Sequence, residues 1–164
     1  MNDATMRFHT CVLLLALVGI GAGINVLLLK PYDVTAAHMY DSSDSNHDGI
    51  FTLEEFAAEF KVYDINHDGA VTRHEYTAYV CFLSPTLYQI SHYMYDEYDI
   101  APADHHLKQA DYSAFYHKLD ADHDGTVQRS EWISWWSQKF ASLETANAHT
   151  HGQADSIHGN HHCH

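Results

Sequence analysis

Apolar residues along the chain form one long run and a series of shorter stripes at helical spacing. The run covers residues 11–29, and the stripes recur every three or four positions over residues 34–143, separated by segments rich in aspartate and glycine. This spacing is typical of amphipathic helices joined by short loops. The pattern predicts an all-α domain over residues 31–144, an apolar segment at 1–30 and a polar tail at 145–164.

Two local signals organise the predicted helices. Phe56 and Phe60 belong to a stripe between two acidic segments with only eight residues between them, so one helix must leave the first segment and enter the second. Ser84 followed by Pro85 is a helix start signal, with the serine as cap and the proline in the first turn. It divides the domain into two halves, residues 34–83 and 84–144.

A twelve-residue segment at residues 64–75 has the spacing that a seven-coordinate oxygen cage for calcium requires. Acidic or amide side chains alternate at its start, Gly69 permits a sharp turn, and a glutamate closes it. One position offers a backbone carbonyl and another stands where a water is usually held. The predicted ligands are Asp64, Asn66, Asp68, Ala70, Thr72 and Glu75.

The same pattern recurs twice. The earlier copy predicts the ligands Asp44, Asn46, Asp48, Ile50, Thr52 and Glu55. The later copy predicts the ligands Asp120, Asp122, Asp124, Thr126, Gln128 and Glu131. From these residues the chain resembles the EF-hand superfamily over about residues 34–143. The resemblance implies helix–loop–helix units that together hold about three calcium ions.

A fourth segment, residues 99–111, departs from the pattern. A shift of 56 residues aligns the second half of the domain with the first and makes this segment the counterpart of the first loop. It is one residue longer, it lacks the turn glycine, and Asp99, Asp104 and Asp111 lie at the wrong spacing. We expect a metal-free structural loop, with a weak or non-calcium site as the alternative. The repeat also suggests that the first loop pairs with this segment and the second with the last.

Residues 11–29 are apolar except for glycines and one asparagine, and they lie between Arg7 and Lys30. As a helix they would span about 28 Å, just enough for a bilayer core of roughly 30 Å. The segment is either a membrane anchor or a signal peptide cleaved after Gly23, and the apolar continuation beyond that glycine favours the uncut anchor. Both interpretations predict an extracellular or lumenal domain, either on a single-pass membrane protein or secreted if residues 1–23 are removed.

Charge and histidine content limit the partners. The net charge of -14 argues against nucleic acid as a partner, and three calcium ions would contribute +6 and bring the charge to -8.

The tail offers ligands suited to zinc or copper, although their spacing matches no defined zinc module. Incidental affinity for these metals is the alternative. These ligands are His149, His151, His158, His161, His162, Cys163 and His164.

Two further groups of residues have structural interpretations. The last predicted helix carries three tryptophans that we expect to pack against the first half, with a partner or membrane contact as the alternative. They are Trp132, Trp135 and Trp136. A histidine occupies the fourth position of each intact loop, which points outward, and we attribute its recurrence to common ancestry of the loops. These are His47, His67 and His123.

Enzymatic motifs are incomplete. His74 and Glu75 begin a zinc-protease motif, but Ala78 stands where the second histidine is required. We therefore predict a non-enzymatic protein in which calcium is structural or buffered. We expect it to bind an unknown protein partner or to belong to a membrane or matrix assembly. A calcium sensor that opens a groove is the alternative, although Met39 and Met94 are the only methionines beyond the apolar run. A disulfide involving the exported cysteines, Cys81 and Cys163, would suit this compartment.

Overall fold

The computed structural model describes residues 26–83 and 87–145. These residues form six helices and four two-residue strands after a 3-10 turn at Val26–Leu29. In chain order the elements are α1 (Tyr32–Ser43), β1 (Ile50–Phe51), α2 (Leu53–Tyr63), β2 (Val71–Thr72), α3 (Arg73–Leu83), α4 (Tyr88–Tyr98), β3 (His106–Leu107), α5 (Gln109–Leu119), β4 (Val127–Gln128) and α6 (Arg129–Thr145). The helical domain is confirmed, as is the single helix, α2, between the first two acidic segments. Within the described ranges, no helix combines the length and apolar character needed to cross a bilayer.

The four acidic segments connect these helices, and they are named here loop 1 (44–55), loop 2 (64–75), loop 3 (99–111) and loop 4 (120–131). Each loop begins with an aspartate that caps the helix before it. The N–H of Asp44 donates to the Tyr40 carbonyl over 2.9 Å, and the first aspartates of the other loops make equivalent bonds of 3.0 to 3.3 Å. Helix ends and loop starts are therefore fixed by the same residues.

The short strands pair loops across the two halves of the domain. Strand β1 of loop 1 is antiparallel to β4 of loop 4, and β2 of loop 2 is antiparallel to β3 of loop 3. The expectation that loop 1 pairs with loop 3, and loop 2 with loop 4, is wrong. Helix α2 has loop 1 at its start and loop 2 at its end, while α5 has loop 3 at its start and loop 4 at its end. The two helices pack together in opposite directions, so the start of one meets the end of the other.

The apolar residue four positions before the closing acid of every loop points into the core. Phe51, Val71, Leu107 and Val127 are at most 1% exposed, and they lie opposite one another in the two strand pairs. Burial of these apolar side chains stabilises the domain by roughly 1.5 to 3 kcal/mol each. The apolar residue of each loop therefore anchors the loop to the core.

Tryptophans of α6 complete this core from the second half. Trp132 and Trp136 are 3% and 1% exposed. The Trp132 ring centroid lies 4.9 Å from that of Phe51, so it packs against the first half as predicted. Trp135 is half-buried and packs instead against Phe115 of α5, with ring centroids 5.0 Å apart.

The end of the apolar run belongs to the domain. Val26 and Leu29 are each 3% exposed, and their 3-10 turn packs against α6. Lys30 Nζ lies 2.9 Å from Glu144 Oε1, and the Tyr32 hydroxyl donates to the same oxygen over 2.8 Å. The rest of the predicted anchor or signal peptide, and the histidine-rich tail, lie outside the described residues.

Candidate metal centre

The first aspartate of each intact loop folds the chain around its own carboxylate. In loop 1, Asp44 Oδ1 accepts from the Asp48 N–H over 3.2 Å and Oδ2 accepts from the Gly49 N–H over 2.9 Å. Asp64 and Asp120 accept the equivalent pairs of bonds in loops 2 and 4, at 3.0 to 3.1 Å. The glycine has a φ of 86° in loops 1 and 2 and 92° in loop 4, which explains why glycine is needed there.

The third and fifth positions face each other within each loop. Asn46 Oδ1 accepts from the Asp48 N–H over 2.8 Å, and its Nδ2 donates to Asp48 Oδ2 over 3.1 Å; Asn66 does the same in loop 2. Loop 4 has an aspartate at the third position instead. Oxygens of Asp120, Asp122 and Asp124 therefore all lie within 4.8 Å of one another. Three carboxylates this close repel one another strongly, and a divalent cation offsets that repulsion.

A glutamate closes each intact loop at its twelfth position. Glu55 Oε1 accepts from the Ser45 N–H and Glu55 Oε2 from the Thr52 N–H, both over 2.9 Å. Burial opposes ionisation, but hydrogen bonds from Thr52, Ser45 and Asn46 outweigh it and lower the pKa of Glu55. The carboxylate is thus held ionised over the loop, as a bidentate calcium ligand must be.

The other two intact loops repeat this closure. Glu75 accepts from the Asn66 N–H over 3.3 Å and from the Thr72 N–H over 2.9 Å. Burial again raises its pKa, and bonds from Thr72 and Asn66 more than compensate, so the net shift is downward. Glu131 closes loop 4 in the same way, with the Gln128 N–H as one of its donors, over 2.9 Å.

The remaining predicted ligand positions lie at or beside the paired strands. Ile50 begins β1, Ala70 precedes β2 and Thr126 precedes β4. At the ninth position the hydroxyls of Thr52 and Thr72 donate to the closing glutamate at 2.9 and 2.8 Å. Gln128 Nε2 in loop 4 donates instead to Asp124 Oδ2 over 3.1 Å. The structure thus gathers each predicted set of six into one compact loop.

Loop 3 keeps the hydrogen-bond framework of an intact loop despite its extra residue. Asp99 accepts from the N–H groups of Asp104 and His105, both over 3.0 Å. Asp111 takes the place of the closing glutamate and accepts from the Ile100 N–H over 3.0 Å. His105 stands where the other loops have glycine and has a φ of 65°.

A lysine supplies a positive charge inside loop 3. Lys108 Nζ lies 2.6 Å from Asp104 Oδ2. This hydrogen bond, with the nearby charges of Asp104, Asp111 and Asp99, raises the pKa of Lys108. Lys108 lies three residues before the closing acid, where loops 1 and 2 have threonine. This role was not predicted from the sequence, where the available signal was a lysine three residues before the closing acid.

Tyrosines four residues before three of the loops are a second feature that the sequence analysis missed. The Tyr40 hydroxyl donates to the Gly49 carbonyl over 2.7 Å. Tyr95 Oη lies 2.9 Å from the Val71 carbonyl oxygen and 2.8 Å from that of His105, so it joins loops 2 and 3. Recurrence of tyrosine at one fixed distance from the loop start was the available signal.

The fourth-position histidines have a conformational explanation. His47, His67 and His123 all have a φ of 59°, in the left-handed region. Histidine, like asparagine and aspartate, tolerates this conformation better than most residues. Backbone geometry is therefore a sufficient reason for the residue type, whatever the ancestry of the loops.

Comparison with known proteins agrees with this geometry. The family model described as EF hand matches residues 56–80, which contain loop 2, and residues 117–134, which contain loop 4. These matches support the EF-hand calcium-binding superfamily, and an EF-hand implies calcium binding. Searches of curated proteins and of solved structures gave no match.

Proposed function

We propose that the protein binds three calcium ions, one each in loops 1, 2 and 4, and that calcium serves there as a structural or buffered ion. The observation that carries the proposal is the position of the closing glutamates. Glu55, Glu75 and Glu131 each accept hydrogen bonds from both the start and the end of their loop. The oxygen cage is thus largely assembled by protein hydrogen bonds.

Closure of each loop by hydrogen bonds within the protein supports a structural or buffering role over a sensing one. In sensors, ion binding draws the exiting helix into a new position and opens an apolar groove. Here the closing glutamate of loop 1 is already part of the first turn of the exiting helix, where Thr52 and Glu55 form a capping box at the start of α2. The strand pairs also tie each loop to the opposite half of the domain. Only two methionines beyond the apolar run, Met39 and Met94, are available to a sensor groove, and both line an apolar cavity.

An exported location is part of the proposal. Cys81 is disulfide-bonded, and disulfides persist mainly in oxidising compartments. Burial of Val26 and Leu29 in the domain leaves only residues 11–25 of the apolar run, or about 22 Å of helix. That length is short for a bilayer core of roughly 30 Å. It supports a cleaved signal peptide over the anchor that the sequence alone favoured.

A secondary role for the tail, in binding zinc or copper, rests on its six histidines and one cysteine. Titration of the purified chain with zinc, before and after removal of residues 146–164, tests it directly. Loss of zinc binding on removal would support the role, and unchanged binding would contradict it. Calcium stoichiometry is expected to be the same in both forms.

Affinity and surface exposure separate buffering from sensing. We expect calcium dissociation constants on the order of 10⁻⁴ to 10⁻³ M in the presence of magnesium, the range of extracellular modules. We also expect little change in the fluorescence of an apolar dye when calcium is added. Micromolar or tighter binding together with a large rise in dye fluorescence would instead establish the sensor alternative.

A further inference from the structure

The three intact loops share one hydrogen-bond framework but differ in charge. Loops 1 and 2 have asparagine at the third position, whereas loop 4 has Asp122. The ninth position is neutral in all three loops, with threonine in loops 1 and 2 and glutamine in loop 4. Loops 1 and 2 therefore offer three carboxylates each, and loop 4 offers four. The four are Asp120, Asp122, Asp124 and Glu131.

The third-position side chain decides what the fifth-position carboxylate meets. Asn46 Nδ2 donates to Asp48 Oδ2 over 3.1 Å, and the asparagine of loop 2 makes the same bond over 3.0 Å. The carboxylate of Asp122 can only accept, so in loop 4 a second negative charge replaces that donor. Asp124 Oδ2 receives its hydrogen bond from the neutral amide of Gln128 instead, over 3.1 Å.

The fold of loop 4 holds these charges together. Oxygens of the aspartates at its first, third and fifth positions all lie within 4.8 Å of one another. Glu131 Oε1 fixes the start of the loop by accepting from the N–H groups of Ala121 and Asp122 over 2.8 and 3.2 Å. The loop fold itself therefore carries the repulsion among the carboxylates. A divalent cation that binds there relieves this repulsion as well as gaining its own attraction to each carboxylate.

Loop 4 also leads into the helix that joins the two halves of the domain. Helix α6 begins within loop 4 and packs against α1 and the 3-10 turn before it. Trp132 directly follows the closing glutamate, and Trp132, Trp136 and Phe140 are at most 3% exposed. An ion in loop 4 therefore holds the start of the helix whose side chains complete the core.

We propose that loop 4 holds the resident calcium ion of this protein, that Asp122 sets the affinity of that site, and that loops 1 and 2 exchange their ions at higher calcium concentrations. Ligand charge and loop rigidity tune the affinity of such sites, and the framework that gives rigidity is common to the three loops. The proposal rests on the calcium binding proposed above and gives the three sites different roles.

The glycine at the sixth position gives one reporter for each site. The N–H groups of Gly49, Gly69 and Gly125 donate to the first aspartate of their own loops over 2.9 to 3.0 Å. Their amide signals are followed by NMR while calcium is added to the purified full chain with magnesium present. We expect the midpoint for Gly125 to lie at a free calcium concentration at least about tenfold lower than that for Gly69.

The possible results separate this proposal from calcium binding itself. If Gly125 responds together with Gly69 or after it, loop 4 is not the resident site, although the chain still binds calcium. If none of the three glycine signals responds, both the ranking of the sites and the proposed function are wrong.

Reciprocal variants test the role of Asp122. Asp122→Asn gives loop 4 the third-position residue of the other loops and should raise the Gly125 midpoint at least about tenfold. Asn66→Asp gives loop 2 a fourth carboxylate and should lower the Gly69 midpoint by a similar factor, which tests the charge argument even if Asp122→Asn fails to fold. Asp33→Asn, at an exposed aspartate of α1, removes the same charge outside the loops and should leave every midpoint unchanged. An unchanged midpoint in either loop variant, or an equal shift in the control, would overturn the role of Asp122.

Discussion

The hydroxyl of Tyr116 donates a hydrogen bond of 2.8 Å to the backbone carbonyl of Phe51. The same hydroxyl accepts from the Val127 N–H over 3.2 Å. Phe51 belongs to loop 1 and Val127 to loop 4, and their Cα atoms are paired in the short antiparallel ladder. The two loops therefore form one bonded unit, and a change in either one acts on the other.

Calcium binding should be cooperative between loops 1 and 4 and independent in loop 2, because loop 2 pairs with loop 3, which lacks the ligand spacing. We expect Glu55→Gln to weaken binding in loop 4 by at least about fivefold, a typical coupling between linked sites. Glu75→Gln should weaken only loop 2. Calorimetry combined with backbone amide signals from each loop measures this.

The control for that experiment lies in the comparison of the two variants. Both remove one charged ligand oxygen from the twelfth position of an intact loop. If Glu75→Gln weakens loop 4 as much as Glu55→Gln does, the coupling does not follow the strand pairing. The pairing of β1 with β4 would then not be what couples calcium binding in loops 1 and 4.

Removing the bridging hydroxyl should reduce the coupling without destroying the sites. Tyr116→Phe removes the hydrogen bonds to Phe51 and Val127, and a net hydrogen bond contributes about 1 kcal/mol. We expect the coupling between loops 1 and 4 to fall by a few-fold. Tyr40→Phe is the matched control, because the Tyr40 hydroxyl donates to the Gly49 carbonyl of loop 1 and not to loop 4. A fall of the same size in the control would show that the cross-loop bond has no special role.

Lys108 should keep divalent cations out of loop 3. Its ammonium group lies beside the carboxylate of Asp104, so Lys108→Thr removes that charge and restores the residue found at the ninth position of loops 1 and 2. We expect an additional weak calcium site in calorimetry. Lys61→Thr, at an exposed lysine on α2, should leave the stoichiometry unchanged. An unchanged stoichiometry in Lys108→Thr would mean that spacing alone excludes the ion.

Glu59 should make the protein less stable as the pH rises. Burial, aided by the charge of Glu55, raises the pKa of Glu59 from 4.5 to about 7. The folded state therefore keeps a proton that the unfolded state releases, and stability falls between about pH 4.5 and pH 7 by up to about 3 kcal/mol.

Glu59→Gln removes this titration. The variant should be more stable than the wild type above pH 7, with the difference vanishing towards pH 4.5. Urea unfolding at several pH values measures it, and subtraction from the wild type cancels the histidines common to both proteins. Glu54→Gln, on the exposed face of α2, should show no such trend. If the stability difference between Glu59→Gln and the wild type does not change with pH, the pKa of Glu59 is not raised in the folded state.

Local features of the fold could be predicted because they depend on short-range rules. The eight residues between loops 1 and 2 leave room for one helix only, and the apolar eighth position must face the core. The candidate ligands follow from the spacing of oxygen donors around a central ion. None of these inferences needs knowledge of which segments meet in space.

Long-range features could not be predicted in this way. The repeat relates loop 1 to loop 3 by sequence, but the opposed packing of α2 and α5 brings loop 1 to loop 4 instead. Burial of Val26 and Leu29 was hidden because the sequence pattern continues smoothly from the apolar run. Lys108 was overlooked because its meaning depends on the carboxylates that the loop gathers around it.

The most direct test of the central claim is a calorimetric calcium titration of the purified full chain with magnesium present. We expect three bound ions, two that bind cooperatively in loops 1 and 4 and a third that binds independently in loop 2. Binding of a single ion or of none would contradict it.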